Sequence, residues 1–141
     1  MTPRVRKLAL TLHVASSVGW LGAVMVFLAL GALALTSDDA ATVRGTYLVM
    51  EPAARFALVP LALASLVSGL VQSIGTTWGL FRHYWVLFKL LINVFATIVL
   101  VNYMTTFRFM AAVAANPTSD LAAVRNPSPV LHAVLALILL L

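Results

Sequence analysis

Two long stretches of this chain carry no arginine, lysine, aspartate or glutamate: Leu8 to Leu35, 28 residues, and Phe56 to Phe81, 26 residues. Leucine, alanine, valine, glycine and aromatics dominate both. A helix rises about 1.5 Å per residue, so about 20 such residues cross the roughly 30 Å hydrocarbon core of a bilayer. A third stretch, from about Tyr84 to Met110, carries only Lys89 near one end and Arg108 near the other, and a fourth begins at Pro129. No water-soluble fold of this size could hide so much apolar surface. The chain is 62% hydrophobic and 9% charged, with a mean hydropathy of +1.05, against roughly 45–50% and about 25% in soluble domains. The expected fold is all-α: a polytopic membrane protein forming one antiparallel four-helix bundle over residues 1–141, with spans near 8–35, 52–75, 84–110 and 129–141. A soluble catalytic domain has no room beside these spans. With no cysteine in the chain, disulfides, thiolate metal sites and cysteine nucleophiles are excluded.

Arg4, Arg6 and Lys7 precede the first apolar run, as in a secretion signal, but the run exceeds the usual signal core of about 7–15 residues. It reads as a retained first helix. Beyond it, Ser37 is expected to cap a short helix starting at Asp38, with Val43, Tyr47 and Met50 as the apolar edge of a segment lying at the membrane interface. Glu51 and Pro52 then open the second membrane helix, proline standing where its missing donor costs nothing. Pro60 removes a backbone bond inside that helix and predicts a kink. The helix ends near Ser73 to Thr76. Gly75 to Gly79, followed by the aromatic and basic run from Leu80 to Trp85, reads as an interfacial loop. The third span reaches about Met110, with Ala115 as its furthest end. Ser128 as cap and Pro129 as first helical residue start the last helix. Its 13 residues to Leu141 give only about 20 Å, so the native chain is expected to continue beyond Leu141.

Basic residues set the expected orientation. One side receives Arg4, Arg6, Lys7, Arg82 and Lys89, while the other receives Arg44, Arg55, Arg108 and Arg125 with every acid: Asp38, Asp39, Glu51 and Asp120. The N-terminal cluster favours a cytoplasmic N-terminus. The net charge of +5 follows from topology and attraction to anionic lipid, and nothing presents a basic surface to nucleic acid.

Histidines are the only side chains here able to hold haem or a transition metal without thiolates. His13 lies about 8 Å into the first span, on the same side of the membrane as His83, whereas His132 starts the last helix from the other side. An intramolecular two-histidine site would therefore join His13 with His83. The bland alternative makes His83 an interface residue and His13 a hydrogen-bonded contact between helices. Gly19 and Ala23 in the first span, and Ser65, Gly69 and Ser73 in the second, form small-residue ladders that admit close helix approach. Gln72, Asn93 and Asn102 are expected to point into the bundle, because facing lipid would cost their desolvation. Lys89 sits about one and a half turns inside the third span, within snorkelling reach of the interface. Arg82, His83 and Lys89 together offer contacts to an anion or a lipid headgroup.

The segments LHVASSVGWLGAVMVFLALGALALTS and SGLVQSIGTTWGLFRHYWVLFKLLINVFATIVLVNYM resemble the small integral membrane proteins of actinobacteria of the DUF2269 type, most specifically around GTTWGLFRHYWVLFK. That resemblance implies four helices in a bacterial cell membrane and no common reaction. A more distant likeness, carried by His13, Trp20 and Gly22, is to membrane haem proteins of the protoporphyrinogen oxidase HemJ type and to copper-resistance membrane domains. Phe27 to Leu35 contains no basic residue where the oxidase pattern has an arginine, so the likeness implies haem binding without that reaction. Three functions are expected in descending order: a noncatalytic accessory or assembly subunit of a membrane complex, a haem-binding redox protein, and a small-molecule transporter. Its expected partners are membrane lipids, itself, or the proteins of such a complex.

Overall fold

The computed structural model describes residues 2–75 and 83–140. Five helices follow in order: α1 (Pro3–Thr36), α2 (Ala40–Ala53), α3 (Val59–Gly75), α4 (Tyr84–Ala115) and α5 (Ser128–Leu140). A π-helical turn, Ala54–Leu58, joins α2 to α3 without a break, and a 3-10 turn, Leu121–Ala123, precedes α5. Among the described residues there is no strand. Four stretches are long and apolar enough to cross a membrane: Pro3–Thr36, Ala40–Gly75, Tyr84–Ala115 and Leu121–Leu139. The protein is a multi-span membrane protein with an all-α, four-helix architecture. The last stretch includes Arg125, Asn126 and His132, and its regular helix is α5 alone, 13 residues or about 20 Å long.

Burial has the pattern expected of a bundle solvated by lipid. Phe56, Ile74, Phe88, Phe95 and Ile138 point outward, while Ser16, Thr46, Ser65, Ser73 and Thr97 are buried. Each buried hydroxyl donates to a carbonyl or pairs with another hydroxyl, as Ser16 does to Leu12 and Thr97 to Asn93. Such back-bonding satisfies a polar group where no water competes. The core itself comprises Trp20, Val24 and Phe27 of α1, Val43, Tyr47 and Met50 of α2, Leu58, and Phe107 and Met110 of α4. Phe27 and Phe107 meet edge to face, centroids 5.5 Å apart, an arrangement that suits the aromatic quadrupole.

Helix α1 runs antiparallel to α3, since Ala9 pairs with Gln72, His13 with Ser68, Ser17 with Ser65, and Gly19 with Leu61. Each small-residue ladder meets larger groups of the other helix, Gly19 against Leu61 and Gly69 against His13. A Cβ on Gly19 would stand 3.2 Å from Leu61, one on Gly69 2.9 Å from His13, and one on Gly31 2.6 Å from Val130 of α5. The glycines thus bring α3 and α5 close to α1, and backbone proximity replaces the hydrophobic drive that lipid removes.

Four local readings of the sequence are corrected. The second helix begins at Ala40, with Asp39 rather than Ser37 as its cap, and Asp39 accepts from the backbone N–H groups of Ala41 and Thr42. Val43, Tyr47 and Met50 lie in the core and not on an interfacial edge. Pro52 sits inside the helix instead of opening it. Prolines 52 and 60 lack the N–H that would bond Leu48 and Phe56, and the chain between them widens into the π turn, where Val59 donates to Ala54. Ser128 likewise does not cap α5. Asn126 Oδ1 accepts the Ser128 N–H, and the Ser128 hydroxyl turns to Tyr103. Residues Thr76 to Arg82, most of the expected interfacial loop, lie outside the described residues.

One end of the bundle is tied by cations to backbone carbonyls. Arg44 Nη1 donates to the carbonyls of Ala114 and Asn116 (3.2 and 2.6 Å), and Nη2 to those of Pro117 and Ser119 (3.1 and 2.9 Å). The guanidinium fork therefore closes the carboxyl end of α4, whose last carbonyls lack helical partners and carry negative partial charge. Arg125 donates to the Ser37 carbonyl (2.6 Å), and the Tyr47 hydroxyl to that of Val124 (3.1 Å).

Replacing Arg44 with alanine is expected to destabilise the protein by about 1.5–3 kcal/mol, the worth of hydrogen bonds to a charged group. Thermal unfolding in a mild detergent measures this, and an unchanged midpoint would refute the clamp. Asp39 gives a pH signature: the Thr42 hydroxyl, then the Thr42 and Ala41 N–H groups, hold its carboxyl below the ordinary 3.8. The contribution of the cap is fully present above that ordinary value and declines as pH falls through the lowered one. Asp39→Asn should flatten the acid limb of the stability–pH curve without altering the plateau near neutrality.

Candidate functional site

At the opposite end from the Arg44 clamp, α1, α3 and α4 diverge around a cavity of about 560 Å³. Polar groups reach it from all three helices: His13 and Ser17 of α1, Ser65 and Gln72 of α3, and Lys89 and Asn93 of α4. Their helical spacing explains the convergence. His13, Ser17 and Trp20 recur at intervals of four and three, Ser65, Gly69 and Ser73 at intervals of four, and so do Trp85, Lys89 and Asn93, so each set shares a face.

His13 is the most constrained of these side chains. Its Nδ1 stands 3.1 Å from the Ser65 carbonyl and 3.2 Å from the Ser68 hydroxyl. The carbonyl only accepts, and the Ser68 O–H is directed at the Ala64 carbonyl (2.5 Å), so Nδ1 carries the proton and donates. In the neutral ring Nε2 is then the nitrogen with a lone pair, available to a metal, a haem iron or a hydrogen-bond donor. Gly69 lies directly beneath the ring. Ser17 and Ser65 hydroxyls pair at 2.8 Å, Asn93 Nδ2 donates to Ser65 at 3.4 Å, and Gln72 Nε2 donates to the Ala9 carbonyl at 3.0 Å. These bonds link the three helices across the apolar interior.

Two features of the wall stand apart. Lys89 lies 6.0 Å from the centre of the Trp85 ring, a cation–π contact. The Trp20 indole, 3% exposed, is the one buried side-chain donor without a hydrogen-bond partner among the described residues. Such an unmade bond costs about 1–3 kcal/mol.

The structure therefore places His13 and Lys89 on one cavity. His83 ends the chain ahead of α4 and stacks on Trp85 (6.2 Å between centroids), a wall residue, but does not line the cavity itself. Arg82 lies outside the described residues. Gln72 and Asn93 face the interior as expected. Asn102 does not: it is exposed and donates to the Ile98 carbonyl of its own helix (2.9 Å). His132 belongs to a separate cluster, its Nδ1 within 2.7 Å of the Tyr103 hydroxyl and 2.8 Å of the Ser128 carbonyl. Sequence reasoning missed that cluster, although the i, i+4 spacing of Ser128 and His132 was visible. Trp20 stood out in the sequence through its place beside His13 and Gly22, not as a buried donor. Among the described residues no three His, Cys, Asp or Glu side chains gather as a metal site.

Neither a family model, nor a curated protein, nor a solved structure matches this chain. The cavity thus has to be interpreted from its own geometry.

Gly69→Ala tests the seat of His13. The new Cβ would fall 2.9 Å from His13 Cε1, so the ring has to leave the Ser65 carbonyl. The expected cost is about 1–3 kcal/mol, as for other overpacked interiors. Nitrogen NMR of labelled histidine should show the Nδ1–H resonance of His13 lose its hydrogen-bonded shift. A spectrum identical to that of the parent protein would overturn the packing described.

Proposed function

We propose that this protein is a noncatalytic accessory protein of the membrane that binds a small amphipathic molecule in the cavity between α1, α3 and α4. The observation that carries the reading is the cavity itself: about 560 Å³ with polar groups from three helices set into an apolar wall. Ligand sites have this build, mostly apolar with a few convergent polar groups. The hydroxyls around it argue for binding over chemistry. Those of Ser16 and Ser68 are directed at backbone carbonyls, and those of Ser17 and Ser65 at each other, while His13 Nδ1 beside Ser68 is turned to the Ser65 carbonyl as a donor, so no hydroxyl here is paired with an accepting base as an activated nucleophile would be. The small-residue ladders of α1 and α3 are occupied within the chain, so a protein partner in a larger complex would engage other faces. The resemblance to four-helix actinobacterial membrane proteins accords with an accessory role and names no reaction.

A second reading has one specific observation in its favour. The donor bond from His13 Nδ1 to the Ser65 carbonyl is the arrangement that orients a histidine for ligation through Nε2. On that reading His13 would hold a haem, which would supply one-electron redox chemistry, while Ser65 and Ser68 would fix the ring.

Purification of the full-length protein in mild detergent, with mass spectrometry of the extracted small molecules and an absorption spectrum, separates these readings. The first expects a stoichiometric co-purifying amphiphile, lost in Val18→Trp, which fills the cavity from an exposed wall position. The haem reading expects a Soret band that disappears in His13→Ala. Repeated absence of the band after expression with ample haem would remove the second reading, and absence of any bound molecule would remove the first.

A further inference from the structure

Resting on the binding role proposed above, we infer that the ligand is an acyl chain carrying an acid group, with the acid held at Lys89 and the chain lying along the apolar wall. Three observations lead there. The cavity is lined by a lysine and by no aspartate or glutamate. A carboxylate within ion-pair distance of Lys89 is absent among the described residues, whose one ion pair joins Arg55 to Glu51 at 3.4 Å. The four acids sit elsewhere: Asp38 lies between α1 and α2, Asp39 caps α2, Glu51 pairs with Arg55, and Asp120 turns its carboxylate to the Ala122 N–H ahead of α5. The exposed Lys89 ammonium faces an aromatic ring instead of a carboxylate, which leaves the negative partner to be brought from outside.

The rest of the wall selects the body of the molecule. Leu21, Leu66 and Leu90 line the cavity, and Val18, Trp85 and Leu139 line it while remaining exposed. Its side therefore opens where lipid lies, and a chain can enter from the bilayer without crossing water. A simple hydrocarbon would leave Lys89 unanswered, and a cation would meet Lys89 with like charge.

An acid group on a chain comes from two sources, a free fatty acid or an anionic lipid, and the shared chemistry is the claim. Quenching of tryptophan fluorescence by brominated chains tests it in the full chain, purified in a neutral detergent. The probes are 9,10-dibromostearate against its methyl ester, and dibrominated phosphatidic acid against dibrominated phosphatidylcholine. Saturable quenching by one of the acids, reversed by its unbrominated counterpart and at least tenfold stronger than for the neutral or zwitterionic probe, would support the inference and name the source. Lys89→Gln should weaken that binding roughly tenfold or more, and Lys89→Arg should retain it. Equal, saturable quenching by acid and ester would overturn the acid preference while leaving a ligand cavity in place. Unsaturable quenching by every probe would overturn the inference, and the binding role would then stand or fall on the co-purification experiment. An unchanged affinity in Lys89→Gln would remove Lys89 as the group that recognises the acid.

Discussion

Within hydrocarbon no water is present to accept or donate a hydrogen bond, and burying an apolar side chain against another helix gains little over burying it in lipid. Every feature of this bundle answers that double constraint. Association rests on close approach at Gly19, Gly31 and Gly69 and on bonds such as Ser17 to Ser65 and Gln72 to Ala9. Large apolar side chains are mostly left facing outward. The polar groups inside are the ones that hold the helices together, and the same groups give the cavity its chemical character.

The two ends of the bundle are built differently. At one, Arg44 and Arg125 direct guanidinium donors at carbonyls that the helix geometry leaves unpaired. At the other, α1, α3 and α4 separate around His13, Lys89 and Asn93. Among the described residues the cavity is lined by Lys89 and His13 and by no acid.

Much of this was legible in the sequence where the signal is local. The apolar runs gave the spans, the four-residue spacing of Ser65, Gly69 and Ser73 marked a face for close helix packing, and the reading of His13 as a hydrogen-bonded contact between helices has its partner in the Ser65 carbonyl. Pro52 misled because a proline at the first helical position and one inside a membrane helix look identical in sequence; the π turn that accommodates it has no residue signature. Val43, Tyr47 and Met50 were placed at an interface because their spacing marks a face without saying what covers it, and α4 covers it. Arg44 could not be foreseen as a clamp. Its acceptors are backbone carbonyls of residues 113 to 119, far along the chain, and carbonyls leave no trace in the choice of side chain.

The paired prolines have a consequence for how the second rod is held. Residues Ala54–Leu58 interrupt the ladder of regular backbone bonds partway along the rod from Ala40 to Gly75. On one side of that joint the arginine fork fastens the rod to α4, and on the other the Ser17–Ser65 and Gln72–Ala9 bonds fasten it to α1. One continuous strut thus serves two neighbours, each half locked to its own.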